Sequence, residues 1–374
     1  MRITEIRVRR LRVPLDPPFV AAWDPVPRAV VRPTLVEVRT DEGVVGVGGG
    51  DDLAGFERFA HLLIGTDPLA IERQVRVLET VAFHGGRPWP AEAALWDVLG
   101  QVAGQPVARL LGGATDRVAA YASTGALRSP TERVEVALAA VAHGFRALKL
   151  RVDPRRLDAG LDVVAAVRDA VGPDVALMVD LNQAWRMAGD TRHPAPLAVA
   201  RRAGARLAEI GITWLEEPLD DHDHGSLRAL RATGLVPVAG GEMARGFRAL
   251  VDLLAADAYD VYQPDVVLAC GLTRARSFAD LVHARGRRFS PHTWSDGMGL
   301  LANLHVAAAV DAGPFLEVPW DPPGWTPARR DPMFVEPLDI DDDGALAVPD
   351  APGLGAALDH DRIAAHVDEE LVVR

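Results

Sequence analysis

Residues 147–182 read ALKLRVDPRRLDAGLDVVAAVRDAVGPDVALMVDLN. The stretch begins and ends with short apolar runs, and the apolar residues between the runs recur at spacings of three and four. This order is typical of a strand, a helix and a second, parallel strand. Ionisable residues stand where each run ends, Lys149 and Arg151 after the first and Asp180 after the second. The stretch therefore predicts a β/α unit with charged side chains at one edge of a sheet.

The same unit recurs along the rest of the chain. Amphipathic helical stretches separate short apolar runs, which occupy residues 118–123, 147–152, 175–179, 213–215, 236–239, 261–263, 288–290 and 315–316. Strands that alternate with helices form a parallel sheet, and eight of them in about 200 residues predict a closed barrel. We therefore assign residues 118–335 to a (β/α) barrel, in which the active site lies at the carboxyl ends of the strands.

Residues 1–117 have a different pattern, which predicts an α+β domain. Alternating apolar residues indicate antiparallel strands, and residues 55–63, 69–81 and 91–102 have helical spacing. Residues 15–32 contain four prolines and predict a mobile loop. The tail, residues 336–374, predicts a hairpin turn and a strand that returns to this first domain.

Composition and charge limit the partners of the protein. The chain has 374 residues, a formal net charge of −12 and one cysteine, Cys270, so no intrachain disulfide can form. The acidic balance gives no electrostatic reason to bind nucleic acid or an anionic membrane. The sequence holds neither a signal-peptide pattern nor an apolar run of membrane-spanning length. We expect a cytoplasmic protein, in which an anionic ligand would need a locally positive site.

Three carboxylates follow three successive strands of the predicted barrel: Asp180, Glu216 and Glu242. Because strand ends converge at the barrel mouth, these groups would repel one another unless a cation lay between them. Oxygen ligands suit Mg²⁺, and no histidine or cysteine joins the cluster, which disfavours Zn²⁺. The sequence therefore predicts a Mg²⁺ site. The alternative is three separate salt bridges to arginines of the surrounding helices.

Later strands end in Asp265, His292 and Glu317. A carboxylate behind an imidazole fixes its tautomer and raises its basicity, so Asp265 and His292 predict a general base. The alternative is a structural, hydrogen-bonded histidine. Lys149, the only lysine in the chain, and Arg151 lie two residues apart on one strand, so both point to the same side and place positive charge beside the metal.

At these positions the sequence resembles the mandelate racemase subgroup of the enolase superfamily. The segments that carry the resemblance extend over nearly the whole chain: Lys149-Leu150-Arg151, Val179-Asp180-Leu181-Asn182-Gln183, Trp214-Leu215-Glu216-Glu217-Pro218, Gly241-Glu242, Gln263-Pro264-Asp265, Pro291-His292-Thr293-Trp294, Leu316-Glu317, Val335-Glu336-Pro337 and Pro352-Gly353-Leu354-Gly355. The resemblance implies a modified TIM barrel, (β/α)₇β, with an α+β capping domain at residues 1–117 that the tail completes.

The resemblance also implies roles for the strand-end residues. Asp180, Glu216 and Glu242 would bind Mg²⁺, and Asp265 with His292 would be the base. Glu317 would hydrogen-bond the developing enediolate. Such sites use a histidine or lysine base with Mg²⁺ to stabilise an ene-diolate. The resemblance further implies a homo-oligomer.

One position departs from the family pattern. The family often has Lys-x-Lys on the second barrel strand, where the second lysine is a base on the face opposite the histidine, but here that residue is Arg151. A guanidinium group stays protonated and is a poor base. A one-base reaction through His292 is therefore favoured, in which a sugar acid loses its α-proton and then a β-hydroxyl, as in family members that give 2-keto-3-deoxy acids. Lys149 and Arg151 would stabilise the carboxylate or the enediolate.

Two alternatives to this acid-sugar dehydratase stay open. A racemase or epimerase would need a second base, and a catalytically silent barrel would only bind a metal–acid ligand. Lactone-forming cycloisomerisation is disfavoured, because that branch of the family relies on additional lysine bases.

The sequence identifies the residues that would bind the substrate less clearly than the residues that would take part in the reaction. In the family, loops of the capping domain select the substrate, so Trp23 and Arg28 in the proline-rich segment are candidates. Asn182, two residues after Asp180, and Ser123, at the end of the first barrel strand, are further candidates for substrate contact. The sequence predicts a small carboxylic acid, a sugar acid, without naming it.

Overall fold

The protein consists of a capping domain and a barrel, and the computed structural model describes residues 1–50, 53 and 55–374. The first domain contains β1 (Ile3–Leu11), β2 (Val13–Phe19), β3 (Arg28–Val31), β4 (Thr34–Thr40), β5 (Val45–Gly50), α1 (Ile71–Gly85), α2 (Trp89–Ala103) and α3 (Val107–Leu111). The barrel contains β6 (Arg117–Ser123), α4 (Pro130–His143), β7 (Ala147–Arg151), α5 (Leu157–Val171), β8 (Ala176–Asp180), α6 (Leu197–Ile210), β9 (Trp214–Glu216), α7 (His224–Arg231), β10 (Val238–Gly240), α8 (Gly246–Ala255), β11 (Val261–Tyr262), α9 (Gly271–Ala284), β12 (Arg288–Phe289), α10 (Gly297–Val310) and β13 (Leu316–Pro319). After it come α11 (Pro327–Arg330), β14 (Ala345–Ala347), α12 (His360–His366) and β15 (Val367–Val373).

Eight parallel strands form the barrel in chain order. Each strand from β6 to β11 pairs with the next, and β13 pairs back onto β6, so the sheet curls round. Between β12 and β13, the amide of Gly313 donates to the carbonyl of Phe289 (3.1 Å), and the Ser290 hydroxyl donates to the carbonyl of Phe315 (2.5 Å). The interior is filled by buried side chains: Tyr121, Ala147, Met178, Trp214, Ala239 and Val261. The predicted modified TIM barrel is confirmed.

All eight predicted barrel strands are present, with bounds that move by at most three residues. The strand-end positions therefore meet at one face of the barrel. Parallel pairing puts Arg151 of β7 beside Asp180 of β8, and Asp180 beside Glu216 of β9. Within the described residues, no helix has both the length and the apolar character needed to cross a bilayer.

The capping sheet has the strand order β15–β1–β4–β5, with every pair antiparallel. The tail therefore adds its last strand to the first domain, beside β1. Its earlier strand, β14, pairs with β6 of the barrel instead. The predicted helix at residues 55–63 is wrong in detail, because this segment forms two short 3₁₀ helices, Phe56–Arg58 and Ala60–Leu63.

The proline-rich segment is a paired ribbon, so the predicted mobile loop is wrong. β2 and β3 pair antiparallel with each other and with no other sheet among the described residues. A two-stranded ribbon tolerates proline because its outer edges need no amide donors. Phe19 and Trp23 are buried, and both rings contact Trp294, which follows β12. These aromatic contacts hold the ribbon over the mouth of the barrel. The prolines of this segment, on which the predicted loop was based, do not indicate such contacts.

A buried carboxyl group lies where the capping domain meets the barrel. Glu92 of α2 is fully buried, and its Oε1 accepts hydrogen bonds from the amide (2.8 Å) and the hydroxyl (2.7 Å) of Thr273 in α9. Its Oε2 has no hydrogen-bond partner. Burial outweighs the hydrogen bonds and raises the pKa of Glu92 to about 7, which favours the neutral acid.

We expect Glu92→Gln to stabilise the protein increasingly as the pH rises from 5 to 8. A raised folded-state pKa stabilises the fold below the unfolded value of 4.5, and this contribution is lost as the pH rises through about 7. The uncharged amide removes that dependence, which is worth about 2 kcal/mol over this range. Chemical unfolding at each pH measures the difference. Glu135→Gln, at an exposed carboxyl of α4, is the control and should show no such trend.

Candidate active site

The three predicted metal ligands converge at the barrel mouth. Asp180 ends β8, Glu216 ends β9 and Glu242 follows β10 by two residues. All three side chains are buried, and each offers a carboxylate oxygen within 4.8 Å of the other two. The alternative of three separate salt bridges to helix arginines does not describe this arrangement.

The electrostatics of this cluster fit a cation. Burial raises the pKa of Asp180 to about 6, against the opposing effect of Arg151. Burial also raises the pKa of Glu242. Glu242 Oε2 is buried and accepts no hydrogen bond, and His292 Nε2 lies 3.3 Å from it. Three buried carboxylates that converge match the hard-oxygen preference of Mg²⁺.

Neighbouring side chains hold the carboxylates in place. Trp185 donates its indole N–H to Glu242 Oε1 (2.8 Å). Trp214 and Gln263 both donate to Glu216 Oε2, at 2.9 and 2.8 Å. Such second contacts fix the orientation of metal ligands. Glu216 and Glu242 are therefore each held in one orientation.

His292 and Asp265 form the predicted pair. His292 Nδ1 lies 3.0 Å from Asp265 Oδ2, which leaves Nε2 directed toward Glu242 at 3.3 Å. The other oxygen of Asp265 accepts the amide of Val267 (2.9 Å). Burial disfavours the imidazolium, but Glu242, Glu317 and Asp265 outweigh burial and raise the pKa of His292 to about 9. Asp265 therefore holds the imidazole in one orientation, and the surrounding carboxylates favour its protonated form.

Lys149 and Arg151 place two buried cations beside the carboxylates. Lys149 Nζ contacts Glu216 and lies 2.8 Å from Glu317 Oε1 and 3.6 Å from Asp180 Oδ2. Burial opposes the charge of Lys149, but these carboxylates outweigh it and raise the pKa of its amine. Arg151 contacts Asp180 and donates from Nε to the carbonyl of Thr124 (2.8 Å).

Aromatic rings enclose the guanidinium of Arg151 on two sides. Its central carbon lies 4.6 Å from the ring centre of Trp23 and 5.3 Å from that of Trp294. Trp23 comes from the capping domain and Trp294 from the barrel, so the two domains jointly hold this cation. The ribbon thus reaches the reacting groups directly.

Glu317 is ionised in this arrangement. Burial favours its neutral form, but Lys149, His292 and Arg151 outweigh burial and lower the pKa of Glu317 to about 2. An ionised carboxylate only accepts hydrogen bonds, as Glu317 Oε2 does from the amide of Thr293 (3.0 Å). Hydrogen bonding from Glu317 to an enediolate would therefore require proton uptake, whereas Lys149 is already a donor.

A small cavity of about 100 Å³ opens beside these groups. Three of the predicted substrate-binding residues, Trp23, Arg28 and Asn182, line it together with His292 and the metal-ligand residue Glu242. Ser123, the fourth, is fully buried and does not line this cavity. Its hydroxyl instead accepts a hydrogen bond from Arg151 Nη2 (3.2 Å).

Sequence reasoning missed several residues around the cavity. Met187, Met243 and Leu268 line it, and they lie in loops or in the π-helical turn Val266–Cys270, where no periodicity marks them. Glu217 is fully buried beside the metal ligands, with neither oxygen hydrogen-bonded. Its φ of 42° turns the chain into the left-handed region and breaks the alternation that would place it outside.

This barrel and its capping domain place the protein in the enolase class of folds. Residues 3–112 match the family "Mandelate racemase / muconate lactonizing enzyme, N-terminal domain", and residues 132–362 match "Enolase C-terminal domain-like". The chain therefore belongs to the mandelate racemase/muconate lactonizing enzyme family of the enolase superfamily.

Some relatives of this chain are named for reactions of sugar acids or their lactones, and others are named as a racemase or an epimerase of amino-acid derivatives or dipeptides. It is 31% identical to D-galactarolactone cycloisomerase of Agrobacterium fabrum, over 97% of this chain and 98% of that protein. It is 30% identical to L-talarate/galactarate dehydratase of Salmonella typhimurium, over 93% and 86%. A structure of that dehydratase with Mg²⁺ and L-lyxarohydroxamate has a TM-score of 0.86 and 28% identity, and covers 100% of this chain and 94% of its own. The prediction of Mg²⁺ as the cofactor is confirmed.

Proposed function

We propose that this protein dehydrates a sugar acid to a 2-keto-3-deoxy acid, with His292 as its one catalytic base. The observation that carries the proposal is the arrangement of His292 and Arg151 around one cavity. His292 is an imidazole oriented by Asp265, whereas the residue of the Lys-x-Arg strand that faces the same cavity is a guanidinium. A guanidinium group cannot accept a proton in a protein, so one base is available and a second, opposite base is not.

The reaction begins when His292 Nε2 takes the α-proton. Asp265 holds the imidazole by its Nδ1 atom at 3.0 Å, so Nε2 is the nitrogen that would take the proton. The electron pair of the broken C–H bond moves into the carboxylate and forms an enediolate. Asp180, Glu216 and Glu242 would hold Mg²⁺, whose positive charge stabilises the enediolate oxygens.

Lys149 and Arg151 of β7 would also stabilise the negative charge of the enediolate. Lys149 and Arg151 are fully buried or nearly so, and positive charge placed before the reaction stabilises developing negative charge at no cost of reorganisation. When the enediolate collapses, the bond from the β-carbon to its hydroxyl breaks, and the hydroxyl leaves with a proton as water. The proton held by His292 balances this step, and the enol product tautomerises to the ketone.

A second candidate function is cycloisomerisation of a sugar-acid lactone, because D-galactarolactone cycloisomerase is 31% identical over nearly the full length of this chain. It shares the removal of an α-proton with the proposed reaction but releases no water. Lys149 is the only lysine in the chain, so the additional lysine bases expected for this branch are missing. This favours dehydration.

The test is proton NMR of the Mg²⁺-loaded protein in D₂O with a panel of aldonates, aldarates and their lactones. We expect one or more free acids to give a 2-keto-3-deoxy product with deuterium at the new methylene carbon. Exchange at the α-carbon with no 2-keto-3-deoxy product from any acid would overturn dehydration. Inversion at the α-carbon would also overturn it and would require a second base. A product formed from a lactone alone would favour the cycloisomerase.

A further inference from the structure

A second, larger cavity lies next to the cavity at His292. It has a volume of about 560 Å³, against about 100 Å³ for the cavity at His292. Arg28, Met187 and Trp294 line both cavities, so they form the wall between them. A ligand that reacts at His292 and extends past Arg28 would enter this second cavity.

The second cavity is lined by positive charge. Of the residues that line it, one is a carboxylate, Asp296, and six are arginines: Arg28, Arg32, Arg87, Arg245, Arg329 and Arg330. The whole chain carries a net charge of −12, so the charge around this cavity is opposite in sign to the net charge of the protein. Clefts lined by one sign of charge attract ligands of the opposite sign.

Carboxylates outside the cavity neutralise some of these arginines, but not all. Asp24 pairs with Arg28, and Asp368 with Arg32, both at 2.8 Å. Asp331 pairs with the buried Arg330 at 2.6 Å. Arg329 donates instead to backbone carbonyls, including that of Gly324 at 2.8 Å, which leave its charge uncompensated.

Arg245 is the most available of the six. It is exposed, lies three residues after Glu242 and precedes α8. Across residues 1–50, 53 and 55–374, no ion pair or side-chain hydrogen bond engages its guanidinium. Its charge and donors are therefore free for a ligand that reaches it from the active site.

A third cavity near the site differs from the second cavity in how its arginines are paired with acids. It has a volume of about 290 Å³ and is lined by Arg155 and Arg192, among others. Each of these is paired with an acid that lines the same cavity, Arg155 with Asp153 at 2.7 Å and Arg192 with Asp190. A third arginine of this cavity, Arg186, donates to backbone carbonyls and to Gln183 Oε1 (3.0 Å). Two of the three arginines are therefore balanced by acids of the same cavity, whereas the second cavity has one carboxylate for six arginines.

We infer that the substrate carries a second anionic group at the end remote from the reacting carboxylate, and that the cavity lined by Arg28 and Arg245 binds this group. The inference rests on the proposed function and narrows it to doubly anionic acids. Either a carboxylate or a phosphate ester supplies the required chemistry, because both accept charge-assisted hydrogen bonds from guanidinium.

The test compares galactarate, galactonate and galactonate 6-phosphate, which share one carbon configuration and differ at the far end. Binding to the Mg²⁺-loaded protein is measured by calorimetry, and kcat/KM wherever a compound is turned over. We expect one of the two doubly charged compounds to bind at least about tenfold more tightly than galactonate. Arg245→Met should reduce this preference by about tenfold to a hundredfold.

The matched control is Arg248→Met, which removes the same charge from an exposed position of α8 that does not line the cavity. The preference should not change in this variant. Equal or tighter binding of galactonate would overturn the inference, and so would an equal effect of Arg245→Met on all three compounds. Turnover of monoacids in preference to diacids would overturn it while leaving the proposed dehydration intact. Failure of every acid to lose its α-proton would instead contradict the proposed function.

Discussion

His292→Asn should lower the rate of α-proton exchange, and with it turnover, by a factor on the order of a thousand. The asparagine amide can keep the hydrogen bond to Asp265 that Nδ1 makes at 3.0 Å. It cannot accept a proton, because an amide nitrogen is not a base at neutral pH. Exchange of the α-hydrogen in D₂O, followed by proton NMR, measures this step without requiring loss of water.

His283→Asn is the matched control for this variant. His283 is exposed on α9, away from the barrel mouth, and its replacement should leave the exchange rate as it is. Circular dichroism and Mg²⁺ binding of His292→Asn should match the unmodified protein, since asparagine is smaller than histidine and fits at this position. Persistent exchange in a folded, metal-binding His292→Asn would show that another group removes the proton.

Asp180→Asn should lower kcat/KM by about a thousandfold, which corresponds to about 4 kcal/mol. The change keeps the shape of the side chain but removes one of the three negative charges that converge within 4.8 Å. The same variant should lose the increase in thermal unfolding temperature that Mg²⁺ gives by binding the folded state. This second measurement reports metal binding without depending on activity.

The control for the metal site is Asp220→Asn. Asp220, Asp221 and His222 form the other group of potential ligands among the described residues, and they are more exposed than the barrel cluster. We expect Asp220→Asn to keep both activity and stabilisation by Mg²⁺. Loss of stabilisation in Asp220→Asn together with its retention in Asp180→Asn would place the ion at the exposed group instead.

The barrel and its reacting groups were predictable because one rule governs them. In a parallel barrel every strand ends at the same face, so locating the strands also locates Asp180, Glu216 and His292 relative to one another. Errors of up to three residues in strand bounds did not matter, since the ionisable residues themselves mark the strand ends.

The surroundings of these groups were less predictable, because loops follow no period. The ribbon of β2 and β3 contains prolines that indicate a loop, and its order comes from the burial of Phe19 and Trp23 against the barrel. Such tertiary contacts override local preferences and leave no pattern in the sequence. The arginines of the second cavity come from both domains and from distant parts of the chain, so only the folded structure brings Arg28 and Arg245 together.

Lys149 is a single side chain at which the candidate active site can be labelled covalently. It is the only lysine of the chain, and its side chain is fully enclosed at the base of the site. A reagent that modifies amines can therefore react with one side chain only, that of Lys149, besides the terminal amine of Met1, and it reaches Lys149 only in molecules whose barrel mouth has opened. The rate of labelling at Lys149 reports the free energy of that opening, and an isotope introduced by reductive methylation would give a single lysine signal, from the barrel mouth.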